Sequence, residues 1–203
     1  MHPGFVFLDE ALGAVRWDAK YATWDNFTGA PVDGYQVNRV VGSLALAEAL
    51  LGARARAADD GLGLLLWDGY RPQRAVNRFR AWAEQPEDGR TKARFYPRIA
   101  RADMFAHGYV ADRSGHSRGS AVDLTLYRLD TGELLPMGGG HDLMDVVSHH
   151  GAAGIPPAQT ANRAALARIM AASGFRPYAC EWWHYALVDE PHPEEYFDFP
   201  LGG

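Results

Sequence analysis

The sequence predicts an α+β fold, with a central, mainly antiparallel sheet flanked by helices. Short, nearly all-apolar runs bounded by glycine or turn residues indicate buried strands. Longer segments with apolar residues at helical spacing alternate with them and indicate helices that cover the sheet. The 203 residues are too few for two full domains. We find no internal repeat or low-complexity linker, and therefore predict one domain over residues 1–203.

The first half of the chain contains two predicted strands and two predicted helices. Phe5–Leu8 forms a short apolar run, and Gly63–Asp68 has the composition of a buried strand. A helix is predicted over residues 43–58, with Ser43 as its N-cap. A second helix, opened by a proline, is predicted over Gln73–Glu84 because its apolar residues form a narrow stripe.

The second half of the chain also contains predicted helices and strands. We predict a short helix over Pro97–His107, because a glycine follows it, and a helix over Asn162–Ala172. Strands are predicted over Ala121–Leu126 and Trp182–Val188. A glycine-rich segment, residues 137–157, matches no nucleotide-binding pattern and is predicted to be a loop at the edge of a site.

Composition and charge narrow the functional classes. The formal net charge of −5 argues against a nucleic-acid partner, since phosphates require a basic surface. Cys180 is the single cysteine, so a disulfide within the chain is excluded. The sequence shows no secretory signal and no apolar run long enough to cross a membrane, which predicts a cytoplasmic protein. The oligomeric state stays open, with a homodimer as one option.

Two sequence patterns predict a metal site. His116 and Asp123 are seven residues apart in a segment of small residues, and Glu181 precedes His184 by three. Two histidines and an aspartate would fill three positions on zinc and leave one for water. A His-x6-Asp pair alone is weak support, and His184 could instead be a strand histidine bonded to a backbone carbonyl. We predict that His116, Asp123 and His184 bind a metal, with Glu181 as general base.

Strand geometry sets a condition on this site. Residues three apart on a regular strand face opposite sides, so Glu181 and His184 cannot both reach one metal from such a strand. Either Glu181 lies on a bend before the strand or the strand is bulged. We predict the bend. Arg71, at the end of the Gly63–Asp68 strand, is the candidate to stabilise an oxyanion, the alternative being a surface arginine paired with a carboxylate.

The segments that carry these residues resemble a known family. Residues 114–123 together with 181–184 resemble the zinc D-Ala-D-Ala peptidases, specifically the D-alanyl-D-alanine dipeptidases of vancomycin resistance. Residues 15–29, 64–72 and 196–200 also resemble that family, so the likeness covers nearly the whole chain. It implies hydrolysis of D-Ala-D-Ala to two D-Ala, which removes the peptidoglycan precursor targeted by glycopeptide antibiotics.

The resemblance also implies a role for each of the five residues already named. It implies one zinc ion per subunit, held by His116, Asp123 and His184. By the same resemblance Glu181 is the base and Arg71 stabilises the oxyanion. No nucleic-acid or membrane partner is implied.

Three further residues are implied to bind the substrate. Asp142 and Tyr21 would hold its ammonium group, and Ser114 would line the pocket. The chain departs from close relatives at Gly115, where they tend to carry a second serine. A related D,D-carboxypeptidase or cell-wall endopeptidase is the first alternative function. A zinc-binding module without catalysis is the second, and Glu181 and Arg71 argue against it.

Overall fold

A computed structural model describes residues 2–202 of the chain. A five-stranded sheet has the order β2 (Arg16–Trp17), β4 (Leu62–Asp68), β5 (Ala121–Arg128), β7 (Glu181–Leu187), β6 (Phe175–Tyr178), in which only the β2–β4 pair is parallel. Strands β1 (Phe5–Phe7) and β3 (Val41–Ser43) form a separate antiparallel pair. The predicted α+β class with a mainly antiparallel sheet is confirmed. In chain order the elements are β1 Phe5–Phe7, α1 Leu8–Leu12, β2 Arg16–Trp17, β3 Val41–Ser43, α2 Leu44–Asp59, β4 Leu62–Asp68, α3 Gln73–Ala83, α4 Lys92–Phe95, β5 Ala121–Arg128, α5 Pro157–Ala171, β6 Phe175–Tyr178 and β7 Glu181–Leu187.

Apolar side chains cover the sheet in two clusters. In the first, the apolar sides of α2 and α5 pack with side chains of β4, β5 and β7, including Leu64 and Leu124. The second is aromatic and joins the loop around Tyr21 and Phe27 to Phe79 of α3. Polar residues that end β4 and begin β5 lie at the edge of this aromatic cluster, where a cavity opens.

The capping chemistry of α2 follows its sequence. Ser43 has extended backbone geometry, and its hydroxyl accepts a hydrogen bond from the Leu46 amide at 3.2 Å. That bond satisfies one of the amide groups left free at a helix N-terminus. The predicted helix over residues 43–58 is therefore confirmed, and its observed range is Leu44–Asp59.

The predicted helix over Pro97–His107 is wrong. A single 3-10 turn, Arg101–Asp103, forms there, and the short helix α4 precedes it. Arg101 is buried and donates hydrogen bonds to the side chains of Glu87 and Asp88 at 3.2 and 2.9 Å. These long-range contacts determine the path of the segment, and they leave no trace in local periodicity.

Other elements also differ from the sequence prediction: α1, β2 and β3 were not predicted, and the following two cases have a clear physical reason. Helix α5 begins at Pro157 rather than Asn162, because proline is tolerated at the first position of a helix, where no amide partner is required. Strand β6, Phe175–Tyr178, was not predicted at all. It is short, mostly exposed and contains Pro177, so it lacks the alternation that marks a strand.

Candidate active site

Two histidines and an aspartate meet at the cavity. His184 Nδ1 lies 3.0 Å from Asp123 Oδ1 and 3.0 Å from His116 Nε2. The third side of this triangle, from His116 Nε2 to Asp123 Oδ1, measures 3.3 Å. Asp123 and His184 are direct partners in the β5–β7 ladder. The structure therefore brings together the three residues that the sequence predicts as metal ligands.

The backbone of the β4 end fixes the orientation of His116. Its Nδ1 lies 2.6 Å from the carbonyl oxygen of Gly69 and donates to it, which turns Nε2 toward Asp123 and His184. The 3-10 turn His116–Arg118 ends at Gly119, with φ 69°. A Cβ there would lie 2.4 Å from the Phe5 ring, so only glycine allows this turn to pack against β1.

The three side chains fit a divalent cation. Each can direct one lone pair to the centre of the triangle. Zinc binds histidine nitrogen and carboxylate oxygen at about 2.0–2.1 Å, so tetrahedral ligands are about 3.3 Å apart. The observed separations of 3.0 to 3.3 Å are close to that value. The hydrogen bond to Gly69 is the kind of contact that orients a ligating imidazole.

Glu181 reaches the same cavity through an irregular strand. Between the pairs Pro177–Tyr185 and Tyr178–Glu181, β6 advances by one residue and β7 by four. This bulge turns the two intervening tryptophans into the core, while Glu181 and His184 both line the cavity. The predicted bend before the strand is wrong, because Glu181 is the first residue of β7 itself. The bulge therefore allows Glu181 and His184, three residues apart on one strand, to face the same cavity.

The surroundings of Glu181 favour its protonated form. Its Oε2 lies 3.8 Å from His184 Nδ1. Burial raises the pKa of Glu181 well above its usual range, and the charges of Asp123 and Asp142 raise it further, while Arg71 opposes them. A bound dication would also lower this pKa. A carboxyl group whose pKa is raised in this way is a better proton acceptor than an exposed one.

Arg71 is held inside the cavity by carboxylates. Its Nε donates to Asp68 Oδ2 at 2.9 Å, and its Nη2 lies 3.5 Å from Asp123 Oδ2. Asp68 is buried, and its other oxygen accepts a hydrogen bond from the Tyr35 hydroxyl at 2.7 Å. The guanidinium also lies over the Tyr21 ring, 4.9 Å from its centre. Arg71 is therefore a fixed cation of the site and not the exposed surface arginine of the alternative interpretation.

The loop after β5 supplies a second carboxylate. The Tyr21 hydroxyl donates to Asp142 Oδ2 at 2.9 Å, so this predicted pair does meet. Asp142 is buried and has φ 59°, an uncommon backbone conformation for a residue other than glycine. Burial raises the pKa of Asp142; His141 and Arg71 oppose that shift. An uncommon backbone conformation and a buried carboxyl group at one position mark the loop as part of the site.

His141 links this loop to the metal ligands. Its Nε2 lies 3.4 Å from Asp123 Oδ2, the oxygen that faces away from the triangle, and its ring packs against Trp67. Burial lowers the pKa of His141, but Asp142 and Asp123 outweigh burial, and the net pKa is raised. Our sequence reasoning missed His141 and Asp68 as site residues. The position of Asp68 at the same strand end as Arg71 is a signal that could have found it.

The cavity that these residues line has a volume of about 250 Å³. This volume is below the range of about 300–1,000 Å³ for sites that take drug-sized ligands, which favours a small substrate. Ser114 lines the wall, where its Oγ accepts a hydrogen bond from the His116 amide at 3.2 Å. Phe27, Phe79 and Met144 form an apolar side. All eight predicted site residues therefore border one cavity.

The fold and the clustered site define a peptidase of the metal-dependent class. The model of peptidase family M15, described as D-ala-D-ala dipeptidase, matches residues 1–201, and the chain belongs to this family.

Two named relatives are similar over almost their whole length. A D-alanyl-D-alanine dipeptidase of Streptomyces coelicolor is 68% identical over 97% of this chain and 98% of its own. One from Enterococcus faecium is 63% identical over 99% of this chain and 100% of its own. A solved vancomycin-resistance D,D-pentapeptidase, VanY, aligns with a TM-score of 0.45 and 20% identity over 76% of this chain and 77% of that one. Among residues 2–202, no helix is both long and apolar enough to span a membrane.

Proposed function

We propose that the chain hydrolyses D-Ala-D-Ala to two D-Ala in a zinc-dependent reaction. The observation that supports this proposal most strongly is the triangle of His116, Asp123 and His184 with Glu181 beside it. The family and the names of the relatives support the dipeptide as substrate. The small cavity, with a carboxylate at one end, is consistent with a short substrate that carries a free ammonium group.

His116, Asp123 and His184 would hold the zinc ion. When bound, zinc would supply Lewis-acid activation of water and of the scissile carbonyl group. The donor set of two neutral imidazoles and one carboxylate leaves a net ligand charge of −1, so the ion keeps its electrophilic character. The hydrogen bond from His116 to Gly69 keeps the ligating nitrogen aimed at the site.

Glu181 moves the proton. It takes a proton from the attacking water and returns it to the nitrogen of the leaving D-Ala. Burial and the neighbouring carboxylates raise the pKa of Glu181, which makes it a better proton acceptor and suits it to both steps. Trp182 and Trp183 pack behind it in the core and keep bulk water from that side.

Arg71 and Asp142 orient the substrate. Arg71 is held by Asp68 and carries a fixed positive charge at the edge of the ligand triangle, where it stabilises the oxyanion that forms on the carbonyl oxygen. Asp142, supported by Tyr21, binds the ammonium group. Ser114, which also lines the cavity, contributes a further polar contact.

A hydrolysis assay with a chelator tests the reaction. D-Ala release from D-Ala-D-Ala is measured for the purified protein, after chelation, and after zinc is added back. We expect activity to be lost and then restored. Glu181→Ala should lower turnover by about 10²–10⁴-fold or more. Glu48→Ala, at an exposed position, serves as the matched control. Persistent activity in the chelated protein, or near-normal activity of Glu181→Ala, contradicts the mechanism.

The same assay separates the alternatives. A D,D-carboxypeptidase or endopeptidase would hydrolyse a pentapeptide ending in D-Ala-D-Ala at least as well as the free dipeptide. A non-catalytic zinc module would bind the metal and turn over neither substrate. Dipeptide hydrolysis serves antibiotic resistance or the use of D-Ala-D-Ala as a nutrient equally well, and neighbouring genes distinguish these roles. A cytoplasmic location remains a prediction of the sequence.

A further inference from the structure

Two arginines meet at the end of the cavity formed by β6 and β7. Arg118 donates from Nε and Nη2 to the carboxylate of Glu190 at 2.5 and 2.9 Å. Arg176 donates from Nη2 to the same carboxylate at 2.7 Å. Both arginines line the cavity, and Glu190 is largely buried beneath them. Two guanidinium groups thus share one carboxylate, which leaves one positive charge uncompensated within this cluster.

The sheet register places this cluster relative to the metal ligands. Ala121 of β5, Ala186 of β7 and Arg176 of β6 are successive cross-strand partners. This row lies two residues along the strands from the row of Asp123 and His184, and on the same face. Two residues of strand correspond to about 6.6 Å. Ala186 of this row lines the cavity, whereas Ala121 is fully buried.

Arg118 lies over that row. Its Nη2 is 3.5 Å from the position that a Cβ on Gly115 would take, and the Ala121 methyl is 3.3 Å from the same position. A guanidinium group has five N–H donors. Arg118 uses two on Glu190 and one on the Tyr196 hydroxyl at 3.0 Å, so two donors have no partner among residues 2–202 and can serve a ligand.

We propose that Arg118 and Arg176 bind the free carboxylate of the substrate, an inference that rests on the proposed dipeptide hydrolysis. In an extended dipeptide the carboxylate lies one residue beyond the scissile carbonyl, a span of about 3.5 Å. A charge-assisted hydrogen bond to an arginine adds about 2.8 Å. An arginine donor about 6.3 Å from the scissile carbonyl carbon would therefore reach the carboxylate, and both arginines line the same cavity as the metal ligands.

The two ends of the cavity then select for opposite charges. Asp142 faces the ammonium end, and the arginine pair faces the carboxylate end. A substrate extended at its C-terminus would place a neutral amide where Arg118 and Arg176 require a carboxylate. An endopeptidase substrate is thereby disfavoured at the arginine end. A pentapeptide keeps its carboxylate but loses the ammonium group at the Asp142 end, so it is disfavoured there.

The carboxylate contact is tested with a matched substrate pair. The zinc-loaded enzyme is assayed with D-Ala-D-Ala and with its C-terminal amide, which differs only in the negative charge. For the unmodified enzyme we expect kcat/KM to be at least tenfold lower for the amide, mainly through a higher KM. Arg176→Gln and Arg118→Gln should each raise KM for the dipeptide at least fivefold and narrow the ratio between the two substrates.

Controls separate binding from folding. Arg168→Gln removes another arginine–carboxylate pair, with Asp60 on the outer surface, and should leave the substrate ratio unchanged. Arg118 also connects Glu190 to Tyr196, so each variant is checked by thermal unfolding. Arg176 is half exposed at the sheet edge, and its replacement should keep the fold. Comparison of the two substrates on the unmodified enzyme needs no variant at all.

The outcomes distinguish this inference from the function on which it rests. Absence of dipeptide hydrolysis in the zinc-loaded enzyme overturns the proposed function and the inference together. Equal kcat/KM for the dipeptide and its amide overturns the carboxylate contact alone. If a folded Arg176→Gln or Arg118→Gln variant keeps the same ratio of kcat/KM between the dipeptide and its amide, the replaced arginine does not bind the carboxylate.

Discussion

Replacement of Glu181 by glutamine should lower activity and raise stability at the same time. Glutamine has the same size but cannot take a proton from water, and loss of a general base costs about 10²–10⁴-fold in rate. This loss corresponds to about 2.7–5.4 kcal/mol of transition-state stabilisation. Arg71 and the ligand triangle stay in place, so weak residual hydrolysis should remain. The measurement is kcat for D-Ala-D-Ala under zinc-saturating conditions.

The stability effect follows from linkage. The pKa of Glu181 is raised in the folded protein by burial and then by Asp123 and Asp142. The unfolded chain therefore loses this proton at lower pH than the folded chain does. Above the unfolded pKa, near 4.5, ionisation favours unfolding, and folding stability falls as pH rises toward the folded pKa. Each unit of raised pKa corresponds to about 1.4 kcal/mol, a penalty that glutamine removes.

Denaturant unfolding in the presence of a chelator measures this effect. At pH 7 the metal-free Glu181→Gln protein should unfold at higher denaturant concentration than the metal-free parent. At pH 4 the two should nearly coincide, because both side chains are then neutral. Two results would refute the reasoning. Activity of Glu181→Gln within tenfold of the parent would contradict the role of Glu181 in proton transfer. Equal stability of the two metal-free proteins at pH 7 would contradict the inference that burial raises the pKa of Glu181.

Three smaller perturbations test the supports of the site. Gly69→Ala should weaken zinc binding about 10–100-fold in a chelator competition. The added Cβ would lie 2.3 Å from the Val41 carbonyl oxygen, so residue 69 must shift, and with it the Gly69 carbonyl oxygen that orients His116. Gly52→Ala on α2 is the control and should leave zinc binding unchanged. Tyr35→Phe should cost about 1.5–3 kcal/mol in equilibrium unfolding, since it removes a buried hydrogen bond to a carboxylate, and an unchanged midpoint would contradict this. Ser43→Ala should cost about 0.5–2 kcal/mol in the same measurement through loss of the α2 N-cap, with activity unchanged.

Local sequence signals were sufficient where local chemistry decides the structure. The N-cap of α2 and the apolar composition of β4 and β5 predicted those elements correctly, since a cap or a buried run is visible in a few adjacent residues. The boundary of α5 was misplaced because the prediction followed the apolar stripe and overlooked Pro157 as a start signal. The helix predicted around Arg101 was wrong for another reason. Ion pairs with residues 87 and 88 determine the conformation of this segment, and these pairs are not visible in local periodicity.

The sequence predicted which residues are metal ligands but not the strand pairing that brings them together. His116, Asp123 and His184 have residue types typical of a metal site, but their convergence depends on the β5–β7 pairing. The bulge that brings Glu181 to them was one of two options, and the sequence analysis predicted the other, a bend before the strand. Backbone register is set by the whole sheet, so periodicity alone did not distinguish a bulge from a bend.

The register of the sheet has a consequence for how this enzyme could acquire new substrates. The metal ligands Asp123 and His184 are neighbours on the adjacent strands β5 and β7. The third ligand, His116, is hydrogen-bonded to Gly69 at the end of β4. Asp142, Ser114 and the arginine at position 118 lie outside those strands, in the connections between them. Connecting segments tolerate substitution better than paired strands do. Grafting the segments 108–115 and 137–150 from a protein with another specificity, with His141 retained because it contacts the ligand Asp123, should therefore redirect the choice of peptide while leaving metal affinity intact.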